Sequence, residues 1–240
     1  MHYLWEQMRG AIPLIAHGDP YIVGLLWVTI RVAVVSTAAA LLIGLPLGLA
    51  LGLGRFRGRR ALQILANASL ALPPVVVGIA VLLLLLPHGA LGSLQIEFSL
   101  NAVYIAQTIL ALPYVVALTP AAIQGLPPGL LVQARALGAG RLQLSGLALR
   151  EAKIGMIAAV IAALGATISE VGAVVIVGGN FQGHDETLAS ALLEQFNYTA
   201  HEPYATAIAL VLLALILVLA GLLTVLQQRT QGIQLRFRAA

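Results

Sequence analysis

The side chains equipped for chemistry are few in this sequence, and most are placed where they cannot act together. Lys153 is the one lysine of the chain. Glu151-Ala152 precede it where a phosphate-cradling loop needs Gly before the Lys and Ser or Thr after it, so the chain has no P-loop of its own. There is no Cys, which removes thiolate chemistry and any disulfide framework. His2, His17, His88, His184 and His201 all lie outside the long apolar stretches, so a haem clamped between membrane helices has no axial imidazoles. His184-Asp185-Glu186 are neighbours in one loop rather than convergent ligands, and no metal site is expected.

What remains is Glu170, the one ionisable side chain inside an apolar stretch long enough to cross a bilayer. A carboxylate there costs about 2.5–3.5 kcal/mol on insertion scales, so it should face the bundle interior with a hydrogen-bonding partner. With Ser69, Thr167, Ser169 and Asn180 it forms the set of candidate pathway or gate residues. A titrating Glu170 would suit a proton-coupled secondary carrier; the bland alternative is a structural or protonated Glu bonded to a neighbouring span, and a non-transporting membrane scaffold would tolerate bulky substitution in the kinked helices and the cytoplasmic loop. No catalytic residue is assigned, and the chain is not expected to be an enzyme.

These residues need a membrane bundle to position them. Of 240 residues, 60% are apolar and 9% charged, where soluble domains carry about a quarter charged residues. A water-soluble globule and a disordered chain are both excluded. A span takes roughly 20 apolar residues, and five such stretches occur, near Val32–Gly54, Ala61–Leu86, Ala102–Gly125, Ile154–Gly179 and Tyr204–Leu226. The expectation is an all-α polytopic membrane protein with about five transmembrane helices. Residues 1–31 read as an N-terminal interfacial segment around Tyr3-Leu4-Trp5 and Ile12–Ala16, 32–226 as the transmembrane domain, and 227–240 as a tail.

Arginines fix the expected orientation, because basic residues in short loops stay on the cytoplasmic side. The first connection, the third connection and the tail hold 11 of the 13 basic residues, whereas the other side holds seven of the nine acids. The N-terminus is therefore expected outside and the C-terminus in the cytoplasm, in the inner (plasma) membrane. No basic run alternates with aromatics, so the formal charge of +4 does not point to nucleic acid.

Gly44, Gly48 and Gly52 recur every four residues and lay a smooth stripe on one helix face, where another backbone can approach. Pro73-Pro74 and Gly172 are further expected packing or kink positions. The connection at 126–153 is moderately apolar, with a helix, a break at Gly138-Ala139-Gly140 and a second helix. Such an element is what a membrane subunit needs if a separate motor pushes on it.

In that connection Gln133-Ala134-Arg135-Ala136-Leu137-Gly138-Ala139-Gly140-Arg141, followed by Leu149-Arg150-Glu151-Ala152-Lys153-Ile154-Gly155, resembles the EAA loop of ABC importer permeases. Gly44-Leu45-Pro46-Leu47-Gly48, Leu72-Pro73-Pro74-Val75-Val76-Val77-Gly78 and Ile168-Ser169-Glu170-Val171-Gly172-Ala173 through Val177-Gly178-Gly179-Asn180 resemble the oxyanion branch of that family, which includes molybdate, tungstate and sulfate permeases. The last segment is most similar to the tungstate-type subunit.

The resemblance implies a type I ABC importer permease-like fold and a homodimer. It also implies an external substrate-binding protein and cytoplasmic ATPase subunits that hold ATP-Mg, with no cofactor bound by this chain. Ala134, Arg135, Leu137, Gly138, Ala139 and Arg141 are then the ATPase-coupling residues. Val132 stands where the family often has a glutamate, so an acidic contact from that position is not implied.

Overall fold

The computed structural model describes residues 2–197 and 202–238. His201 and the side chains of His2, Tyr3, Leu4, Arg229, Arg236 and Arg238 lie outside what is described, and with them parts of the expected interfacial segment and tail. Among the described residues all regular structure is helical. In chain order the helices are α1 (His2–Ala16), α2 (Pro20–Leu53), α3 (Arg59–Ser69), α4 (Pro74–Leu85), α5 (Leu100–Gln124), α6 (Leu130–Ala136), α7 (Arg141–Glu151), α8 (Lys153–Ser169), α9 (Gly172–Gly178), α10 (Leu188–Phe196) and α11 (Glu202–Arg238).

α2, α5 and α11 are each long and apolar enough to span a bilayer. Two bent pairs supply further spans if each counts as one: α3 with α4, bent by 103°, and α7 with α8, bent by 74°. The sharper bend follows from Pro73-Pro74. Each proline disfavours helical backbone in the residue before it, and Pro74 then starts α4 at the one turn where a missing N–H costs nothing. The second expected stretch is therefore two helices rather than one rod.

Two further stretches depart from the sequence expectation. The first long helix starts at Pro20, not Val32, and runs unbroken through Arg31 and Pro46 for 34 residues, about 51 Å at 1.5 Å per residue. Arg is a good helix former, so a lone arginine in an apolar stretch interrupts its hydropathy but not its backbone. Asp19 sets the start: its Oδ1 accepts from the N–H groups of Tyr21 and Ile22 at 3.0 and 3.3 Å, an N-cap with Pro at the first helical position. In the fourth stretch, α8 ends at Ser169 and α9 begins at Gly172, which puts Glu170 in a break rather than within a helix.

The chain forms two compact units. The first comprises Met1–Thr37, Leu72–Leu110 and Leu164–Val218. Its packing centres are Val32, Val77, Leu85, Val103 and Val174 in one cluster, and Ile22, Leu25, Leu188, Ala207 and Ile208 in another. α4 lies closely on α9 there: a Cβ on Gly78 would sit 2.8 Å from Ala173 Cα, so only glycine permits the approach.

The second unit comprises Ala38–Ala71, Ala111–Ala163 and Leu219–Ala240, with Ala40, Ala111, Val115 and Ala163 at its core. The stripe on α2 packs here against α5. Cβ atoms built on Gly44, Gly48 and Gly52 would lie 2.9 Å from Val115, 2.6 Å from Thr119 and 2.5 Å from Ile123. Lipid is as apolar as these side chains, so close van der Waals fit rather than burial from water holds such a seam together.

Candidate coupling and pathway sites

In the second unit the segment 130–151 forms an elbow. α6 ends in a Schellman motif: the Ala139 N–H reaches the Ala134 carbonyl and the Gly138 N–H the Arg135 carbonyl, both at 3.0 Å. Gly138 occupies the left-handed position with φ +88°, where a Cβ is disfavoured. α7 then restarts at Gly140, whose N–H donates to Gln143 Oε1 at 2.8 Å.

Leu144 and Ala148 bury one face of α7. Leu137 and Leu142, on either side of the elbow, are 90% and 89% exposed. Ala134 and Ala139 are half-buried, and Arg135, Gly138 and Arg141 are exposed. The six coupling candidates thus lie on one short, stiff bend that presents two bare leucines and two guanidinium groups.

The candidate pathway residues do not converge in this way. Hydroxyls of Thr167 and Ser169 donate to the Leu164 and Gly165 carbonyls of their own helix, at 2.9 and 2.7 Å. Ser69, in the second unit, does the same to Leu65 at 2.8 Å. Glu170 accepts the Ala173 N–H at 3.0 Å and so caps the start of α9, rather than bonding a neighbouring span. Gly172 lets Val75 of α4 approach, since a Cβ there would sit 2.6 Å from Val75 Cγ2. Asn180, with φ +58°, donates its backbone N–H to Asp185 Oδ2 at 2.9 Å and its side-chain amide to Glu194.

A polar cluster in the first unit has no counterpart in the sequence reading. Tyr21 donates to Glu186 Oε1 at 2.9 Å and accepts from Gln195 at 3.3 Å, and Tyr204 donates to Asp19 at 3.1 Å. Thr29 accepts the Leu188 N–H at 2.8 Å, tying the start of α10 to α2. Burial pushes the Glu186 carboxyl up to about 7, with nearby Glu194 and Asp185 adding to the effect and the Tyr21 bond opposing it. Burial also raises Asp185, against the pull of its backbone N–H donors from Phe181 and Asn180. The only local signals were Asp19 before Pro20 and the Thr187–Ser190 capping pair.

The comparisons with known proteins agree with this architecture. Residues 44–232 match the family described as binding-protein-dependent transport system inner membrane component. The tungstate uptake system permease protein TupB of Peptoclostridium acidaminophilum is 32% identical over 213 residues, covering 89% of this chain and 93% of that protein. A probable anion ABC transporter permease protein of Haloferax volcanii is 37% identical over 167 residues, covering 70% and 72%.

Among solved structures, an inward-facing conformation of the MetNI methionine ABC transporter shares the fold with a TM-score of 0.72 at 20% identity, over 91% of this chain and 98% of that one. The fold is thus that of type I ABC importer permeases, and the chain belongs to the binding-protein-dependent transport system inner membrane component family, in its oxyanion branch.

Proposed function

We propose that this chain is the membrane-spanning subunit of an ATP-driven importer for a tetrahedral oxyanion, tungstate or molybdate, working as a homodimer with two cytoplasmic ATPase subunits and an external binding protein. The observation that carries the reading is the elbow at Gly138, with Leu137 and Leu142 bare on either side. Two leucines held out by a glycine-terminated helix are costly in water and suit a groove on a partner. The substrate class is supported by the tungstate and anion permeases among the relatives.

In this reading the ATPase partners bind ATP-Mg, and their closure is transmitted through Ala134–Arg141 into α8, which follows α7 after one residue. The chain lies in the inner membrane with its N-terminus outside and its C-terminus in the cytoplasm. The family membership lends no support to a proton-coupled carrier built on Glu170.

The test is reconstitution with an ATPase subunit and a binding protein in sealed vesicles. ATP-dependent uptake of tungstate or molybdate is expected, and Leu137→Glu or Gly138→Trp should abolish it while the complex still folds. Uptake without ATP or without the ATPase partner would overturn the reading.

A further inference from the structure

The second unit holds a cavity of about 210 Å³ between α3 and the C-terminal half of α5. It has room for a tetrahedral oxyanion with part of its water shell, since one water needs only about 10–15 Å³ of such space. Small residues open it: Ala66 on α3, and Ala117 and Ala121 on α5. Carboxamides make it polar, because Gln63, Asn67 and Gln124 all border it and no carboxylate does. Gln63 and Asn67 are four residues apart on α3 and share a face. Pro120 also borders it, and having no N–H it leaves the Val116 carbonyl without its helical partner, a group that water in the cavity can satisfy.

A positive charge outside the lining shares an acceptor with Gln63, which borders the space. Arg59, one turn before Gln63, donates to the Leu51 and Gly52 carbonyls at 2.6 and 3.2 Å, and Gln63 donates to the same Leu51 carbonyl at 3.1 Å. The last carbonyls of α2 therefore hold both side chains in place. Asn67 and Gln124 are exposed, and each carboxamide carries two N–H donors. Neutral amide donors hold an anion without the charge pairing that a lysine or arginine contact would add, which allows contact without trapping. A nearby guanidinium biases the space toward anions without closing on them.

We infer that the α3–α5 cavity is a transit station for the oxyanion, where Asn67 and Gln124 donate to it and Arg59 supplies the field. This rests on the proposed function and goes beyond it by naming the residues that touch the solute.

The chain has no cysteine, so single-cysteine variants can be made directly. In the complete complex in vesicles, Asn67→Cys and Gln124→Cys should react with a water-soluble, negatively charged methanethiosulfonate, and saturating tungstate should slow that reaction severalfold. Asn67→Leu/Gln124→Leu should lower uptake about fivefold or more, with assembly of the complete complex kept. The inference is overturned if neither cysteine reacts, if tungstate leaves the rate unchanged, if an anionic lipid protects them in the absence of tungstate, or if the leucine pair transports like the wild type. Those outcomes with normal wild-type oxyanion uptake remove this inference alone. A wild-type complex that imports no oxyanion removes the proposed function and this with it.

Discussion

The Tyr21 hydroxyl donates to Glu186 Oε1 at 2.9 Å across 165 positions of sequence, while Glu186 Oε2 is buried with no partner. Burial makes this carboxyl keep its proton longer in the fold than in the unfolded chain, with a value near 7 against the ordinary 4.5, and the Tyr21 bond opposes the shift. Between those two values the folded state binds the extra proton. Stability should therefore fall as pH rises from about 4.5 to 7 and level off above. Asp185 shifts in the same direction and adds to the slope. Glu186→Gln keeps an acceptor for Tyr21 and removes the titration, so thermal melting of the purified protein should lose most of its pH dependence in that window. An unchanged slope in the variant would refute the assignment.

The seam of α2 on α5 predicts unequal costs for equal substitutions. Gly48→Ala places a methyl 2.6 Å from Thr119 Cβ, which is held by its own helix backbone and cannot yield. It should cost about 1–3 kcal/mol. Gly52→Ala meets Ile123 Cδ1 at 2.5 Å, the free end of a side chain. Combining it with Ile123→Val, which removes that atom, should recover most of the loss in denaturant or thermal unfolding. A Gly48→Ala protein as stable as the wild type would mean the two helices are farther apart.

At the elbow, Gly138→Ala forces a Cβ into the left-handed conformation at about 1–2 kcal/mol. The strain is local, so hydrogen exchange across residues 134–141 should accelerate about tenfold while global melting barely moves. Exchange at the wild-type rate would show that the Schellman turn is not kept in solution.

Glu170 accepts a backbone N–H, and a glutamine can do the same. Glu170→Gln should leave stability and ATP-driven uptake near wild type. Glu170→Ala loses the bond at the start of α9, at about 1 kcal/mol. Loss of uptake in Glu170→Gln alone, together with sensitivity to a collapsed proton gradient, would instead assign it a proton-carrying role.

The helical class and the membrane habit were legible because they depend on composition summed over twenty residues at a time, which the Ala, Val and Leu stretches display without ambiguity. The break of the elbow was legible for a local reason, since Gly138-Ala139-Gly140 stops a helix wherever it stands. The helix α2 starts about a dozen residues before the expected span, because hydropathy registers the charge of Arg31 while the backbone of α2 passes straight through it. Glu170 is expected within a helix, because periodicity does not reveal that α8 stops one residue earlier.

By itself, then, the sequence determined the class of molecule, the likeness to importer permeases and the positions where chains can bend or approach closely. Tertiary structure alone decided the partners: Thr119 for Gly48, Ala173 for Gly78, Glu186 for Tyr21, and the meeting of Gln63 and Asn67 with Gln124 around one cavity. The physical reason is that propensity and hydropathy act over a few neighbouring residues. A contact between helices depends on where every intervening turn has carried the chain.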